Sequence, residues 1–243
     1  MLAIELPEAV DKLLAVIGIN FPEVNEDHVR ELGSHVREFA QNVGQVHQDA
    51  TDTITRMGEA YQGASYDLLV QRWGEMSSQH MTELQDACSV VGTAMDVAAD
   101  FIVGQKVAAI AELVVLAATF IADQAAAAVT FGLSELALPA IELAARKLCD
   151  FLEQQLTQYV IGKVIEAAIN PLVDVVDKAV SGFAFQAASS ALGSGGSGGS
   201  AGSLLMMQPD QLTTHARTML DHADTMQQHA DTFSSNVSAL TFT

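Results

Sequence analysis

Positive charge is the scarcest resource in this chain: 11 Lys and Arg stand against 30 Asp and Glu, for a net charge of −19. Nucleic acids and anionic membrane surfaces both call for a basic face, so the charge argues against both as partners: no nucleic acid is expected, and a membrane is possible but not favoured. Cysteine is nearly absent. Cys88 and Cys149 are too few for a disulfide framework in 243 residues, and each lies in an apolar helical stretch where a buried free thiol is expected. Aromatics make up 6% and proline occurs five times. No stretch alternates apolar and polar residues between turn residues, so strands are not expected. No GxGxxG or GxxxxGK[ST] loop, HExxH pair, metal-spaced cysteine pair or recognised nucleophile context occurs. A non-enzymatic protein without cofactor or metal is therefore expected. Met1 to Ile19 carries acids where a signal peptide has a basic start, so no cleaved signal peptide is expected.

What is present is apolar and helical. Nearly half of the residues are hydrophobic, and abundant alanine favours helices packed closely through small side chains. Met1 to Ile19 reads as a short amphipathic helix, broken by Gly18, Asn20 and Pro22. Asn25 then offers an N-cap, with Glu26 and Asp27 on the first turn. From there Val29, Gly33, Val36, Ala40, Val43, His47, Ala50, Ile54, Met57 and Tyr61 step by four and three in alternation, a heptad seam that predicts a long helix lying along a partner. Tyr61-Gln62-Gly63-Ala64-Ser65 stops it, and Gly63 would allow a positive φ at the reversal. A second run follows through Leu69, Trp73, Met76, His80, Leu84, Ala87, Val91, Met95, Ala98 and Ile102. Two long amphipathic helices joined at a short Gly turn make an antiparallel hairpin.

From Phe101 to Phe185 the chain reads as apolar helices, with breaks at Gly132-Leu133-Ser134 and Asn170-Pro171, and Pro139 tolerated early in its helix. Glu112, Asp123 and Glu135 interrupt the apolar run Val107 to Leu138, leaving charge-free pieces shorter than the ~20 residues of a spanning helix. Buried core helices and a membrane-inserting hairpin are the two readings of this run. Ala187 to Ser203 is a Gly/Ser-rich flexible linker. After it, Leu212, Ala216, Met219, Ala223, Met226, Ala230, Phe233, Val237 and Leu240 form another unbroken four-three seam. A constant offset lays the first seam on this one from Val29/Leu212 to Met57/Leu240, with Asp27/Asp210, Ala40/Ala223 and Gln45/Gln228 identical. His215, His222 and His229 repeat every seven residues, about 10 Å apart along a helix and too far for one metal ion. They read as borders of the seam. The expected fold is all-α: a long helical hairpin bundled with further apolar helices over residues 1–186, a linker over 187–203, and a tethered C-terminal amphipathic helix over 204–243.

The phrase Gly58-Glu59-Ala60-Tyr61-Gln62-Gly63-Ala64-Ser65, with Trp73 downstream, resembles the turn region of the WXG100 family, and more specifically the longer WXG100-like N-terminal domains of polymorphic toxins exported by type VII secretion. The family's turn is Trp-x-Gly, and here Tyr61 stands in place of Trp. The segment Pro209 to Leu240 resembles the first arm of a second such hairpin. The resemblance implies a targeting and interaction module that pairs with a small helical WXG100-like protein or a second hairpin, in cis or in trans, and with the secretion machinery. It implies synthesis in the cytoplasm and secretion through a type VII system. Tyr61-Gln62-Gly63 would be the turn motif. Trp73, Leu212, Met219, Met226, Phe233, Val237 and Leu240 are the candidate partner interface. The family's Tyr-x-x-x-Asp/Glu export signal is not matched: Tyr61, Tyr66 and Tyr159 are followed four residues on by Ser65, Val70 and Lys163. A partner chain or further residues would have to carry it.

Overall fold

A computed structural model describes residues 4–76, 80–130, 138–160, 162, 164, 166, 170–174 and 206–242. Its elements are α1 (Glu8–Ile17), α2 (Glu26–Ala60), β1 (Tyr61–Gln62), α3 (Ala64–Met76), α4 (Thr82–Thr130), α5 (Leu138–Tyr159), β2 (Met206–Met207) and α6 (Pro209–Ala239). The fold is all-α. The only departure among the described residues is one antiparallel contact of two residues a side, Tyr61 with Met207 and Gln62 with Met206.

The helix boundaries follow local chemistry. α1 begins after Pro7, later than the sequence suggested, because proline's fixed φ suits a helix entrance. It closes on Gly18 in the left-handed conformation (φ 67°), which a glycine adopts without strain. At the start of α2 the Asn25 carboxamide oxygen accepts the backbone N–H groups of Asp27 and His28, both at 3.1 Å, as an N-cap should. Pro139 sits in the first turn of α5, where its missing N–H costs nothing. The expected breaks at Gly132 to Ser134 and the linker at 187–203 lie outside the described residues.

One expectation about the hairpin needs correction. Among the described residues Gly18 is the glycine with a positive φ, so Gly63 does not reverse the chain in that way. Instead, the extended pair Tyr61–Gln62 is held by β2, and Gln208 N–H donates to the Ala60 carbonyl at 2.8 Å, satisfying an end carbonyl of α2 that no helical partner reaches. The second arm is seen as α3, up to Met76, and α4, entered through a π-type turn at His80 and Met81. Residues 77–79, within the expected second run, lie outside the described residues.

The chain forms two compact units, each assembled from segments distant in sequence. One takes Met1–Gly33, Thr93–Ala167 and Leu240–Thr243; the other takes Ser34–Gly92 and Ala168–Ala239. In the first, α1 buries Val10, Leu13 and Leu14 with Leu113 and Ala117 of α4 and Ile141, Ala145 and Cys149 of α5. Phe101 and Tyr159 stack with ring centroids 3.9 Å apart. A buried ion pair lies beside this core: Lys106 Nζ donates to Glu26 Oε2 and to the Val24 carbonyl, each at 2.8 Å, while Ile4 N–H donates to Glu26 Oε1 at 2.7 Å. Burial alone would push the Glu26 carboxyl up, but Lys106 and the backbone donors together hold it below the usual carboxylate range. The same unit contains the C-terminal tail, where Asn25 N–H donates to the Phe242 carbonyl and the His28 ring meets the Thr241 carbonyl.

A candidate helix-docking site

In the second unit the remainder of α2 offers an apolar face. Val36, Ala40, Val43, Val46, Ala50, Ile54 and Ala60 are buried on it. The buried set follows the heptad seam and widens beside it, so that Val46, Thr53 and Ala60 are covered while His47 and Tyr61 are half-buried.

Antiparallel pairing with the second arm is recorded by side chains that meet. Tyr66 donates its hydroxyl to the Ile54 carbonyl at 3.1 Å, and a Cβ placed on Gly58 would lie 2.7 Å from the Tyr66 ring carbon that bears that hydroxyl. Gly58 is therefore a close-approach position where α3 meets α2. Further along, the Trp73 indole N–H donates to Thr51 Oγ1 at 2.9 Å, and Thr51 in turn donates to the His47 carbonyl at 2.8 Å. The His47 ring stacks on Trp73, centroids 5.1 Å apart and 10° from parallel. Burial lowers the His47 pKa, since the charged imidazolium is the form that desolvation disfavours. Deeper in the pairing, Gly44 faces Gln85 and Gly92 faces Arg37. Burial pushes the Cys88 thiol up to about 11, so the thiol is protonated and unreactive at neutral pH.

Onto this hairpin α6 lies antiparallel to α2. Phe233 stacks on Phe39 with centroids 4.9 Å apart. Thr53, fully buried, gives its hydroxyl proton to the Asp49 carbonyl at 2.9 Å, so the 3.2 Å contact with His222 Nε2 is one in which the ring donates. At the turn, β2 completes the seat. His215, His222 and His229 are half-buried beside the seam, on which Leu212, Met219, Met226, Ala230, Phe233 and Val237 are also half-buried. Of the three rings His222 faces the space between α6 and the hairpin, together with Ala223 and Ala230. Between α6 and the hairpin lies a half-open cavity of ≈ 630 Å³, to whose wall Leu172 also contributes.

Of the residues singled out from sequence, Trp73, Met219, Met226 and Phe233 meet around this cavity. Leu212 and Val237 are half-buried on α6 and do not line it, and Leu240 follows the end of the helix and belongs with the first unit. Tyr61 is half-buried and Gln62 exposed in β1. Leu68, Leu69 and Val70 of α3 are exposed, so the early part of the second run does not pack as expected. Sequence reasoning missed Thr53, Tyr66 and the Glu26–Lys106 pair. Thr53 lies one step off the heptad, beside the buried Ile54. The ion pair joins positions 80 residues apart in sequence and leaves no local trace.

A family model described as a WXG100-like domain matches residues 3–147. The chain belongs to that family. The match takes in α1, both arms of the hairpin, its Tyr61-Gln62-Gly63 turn and the first part of α5. No curated protein and no solved structure matches the chain. As a WXG100-like domain it is a helical protein related to type VII secretion, in a family whose members pair with helical partners. Among the described residues no cluster of His, Cys, Asp and Glu is arranged to hold a metal ion.

Proposed function

We propose that this WXG100-like chain is a non-enzymatic targeting and interaction module of a type VII secretion substrate. It pairs helix to helix with a small helical partner and so directs the export of an attached toxin. The observation that carries this reading is the seat on the hairpin. A face of α2 with Val36, Val43, Val46 and Ala50 buried is covered by a separate amphipathic helix, held by ring stacking and a two-residue strand pair at the turn. A hairpin with an apolar stripe on each arm cannot bury both by itself and calls for another helix. Its functional residues are therefore apolar and aromatic, as in a recognition groove read by helix anchors at i, i+3/i+4 and i+7. The test is expression of the full chain with a neighbouring small helical WXG100-like protein in a host with and without an active type VII system. A 1:1 complex and release into the medium that depends on the system support the reading; release independent of the system contradicts it.

One observation favours a second reading, a membrane-inserting helical domain. Over Thr82–Ala125 α4 is long and apolar enough to cross a bilayer by length and composition. Val107, Val114, Val115 and Ile121 on it are exposed. Flotation of the purified chain with liposomes separates the two: stable insertion supports the second reading, and a soluble chain supports the first.

A further inference from the structure

In the first unit α4 is apolar on two faces. One is filled from within, where Leu113 and Ala117 are buried with side chains of α1 and α5. The other is open. Val107, Ala111, Val114, Ala118, Ile121 and Ala125 step by four and three without a miss, and all six are exposed. Val114 and Ala118 directly follow Leu113 and Ala117, so the two faces stand about 100° apart around the helix. Gly104, one step earlier on the open seam, has empty space where a Cβ would stand. From Val107 to Ala125 the open seam runs about 27 Å. Its flank of Ala108, Val115 and Ala122 is exposed and apolar too. Glu112 and Asp123 project from the far side of the helix. A four-three apolar seam is the pattern of a helix that lies along another helix, and a contiguous exposed apolar face marks an interaction site.

We propose that this face of α4 pairs with the same face of a second copy of the chain, the two helices running antiparallel about a two-fold axis between Val114 and Ala118. The order of side-chain sizes selects this occupant. Large and small residues alternate strictly along the seam. The two-fold axis sets Val114 against Ala118, Val107 against Ala125 and Ile121 against Ala111, each pair twice. Every layer then holds one large and one small side chain, the arrangement in which facing layers interdigitate. A parallel copy would instead set Val on Val and Ala on Ala, giving crowded and hollow layers in turn. Self-complementarity of this kind is what a two-fold interface requires. A lipid surface responds to apolar area and has no use for the alternation. Nor does the pairing function proposed above carry this inference, since the α2 seat belongs to the other compact unit. Two copies of net charge −19 repel at long range, so pairing through an uncharged face strengthens as salt screens that repulsion.

The experiment is sedimentation equilibrium of the full chain over a range of concentrations, at low and high sodium chloride. A monomer–dimer equilibrium that shifts toward dimer with salt is expected. Ala118→Leu crowds Val114 in both central layers and is expected to weaken the dimer about tenfold or more. The swap of Val114→Ala with Ala118→Val keeps one large and one small residue in each of those layers and is expected to lose less than Ala118→Leu. Register is read by disulfide formation, with Cys88 and Cys149 buried and out of reach. Chains carrying Val114→Cys are expected to cross-link to chains carrying Ala118→Cys in preference to their own kind. A chain that is monomeric at every concentration and salt overturns the proposal. So does a dimer that Ala118→Leu leaves unweakened, and so does preferred cross-linking of Val114→Cys chains to one another. A chain monomeric in buffer that inserts into phosphatidylcholine vesicles also overturns it, and assigns the face to lipid.

Discussion

A single ring illustrates how side-chain chemistry is used in this protein. His47 was placed on the α2 seam by spacing alone, and the structure puts it face to face with Trp73 at 5.1 Å. The stack is favourable for a neutral imidazole, and burial lowers the His47 pKa from 6.5. The unfolded chain therefore takes up a proton at a higher pH than the folded one. The stability linked to this group is present above the unfolded pKa and is lost as pH falls through the lowered folded value. Urea titrations between pH 7.5 and 5 should show native protein losing stability on acidification. His47→Phe, which keeps a flat ring against Trp73, should lose less over that interval. Equal losses in both proteins would remove His47 from the explanation. Gly58 makes the opposite kind of point, since here the missing side chain matters. Gly58→Ala puts a methyl against Tyr66, and overpacking of this sort costs roughly 1–3 kcal/mol. Ordinarily alanine would favour a helix over glycine by up to about 1 kcal/mol, so a variant that melts higher than the parent would show that α3 does not lie where Tyr66 places it.

At the scale of elements, α2 and α6 were the most legible parts of the sequence. Their long four-three seams, and the Asn25 cap that starts α2, depend on local spacing and local hydrogen bonds. The turn was located correctly at Tyr61-Gln62-Gly63, but its mechanism was not legible. It relies on Met206 and Met207, which no local signal connects to residue 61. The Glu26–Lys106 pair belongs to the same non-local class. Both side chains are almost completely buried, 3% and 5% exposed. Replacing Lys106 by Met strands the Glu26 carboxylate, and loss of one partner of a buried pair costs about 3–5 kcal/mol. Thermal unfolding of Lys106→Met should show a clearly lowered midpoint, and a midpoint equal to the parent's would mean that the pair is solvated.

For the molecule as a whole, the consequence of this arrangement is that local rods are completed by distant segments. Each compact unit combines pieces from widely separated parts of the chain. WXG100-like hairpins need a further helix for their exposed stripe, and in the second unit the chain supplies one itself. The decisive feature is α6 occupying the α2 groove within one molecule. The most direct measurement is an aromatic NOE experiment on the full-length chain at a concentration where it is monomeric. Cross-peaks between the Phe39 and Phe233 rings are predicted, at a separation of 4.9 Å between centroids. If the His47–Trp73 cross-peaks are present and the Phe39–Phe233 cross-peaks are absent, the hairpin exists without its cover and the account is contradicted.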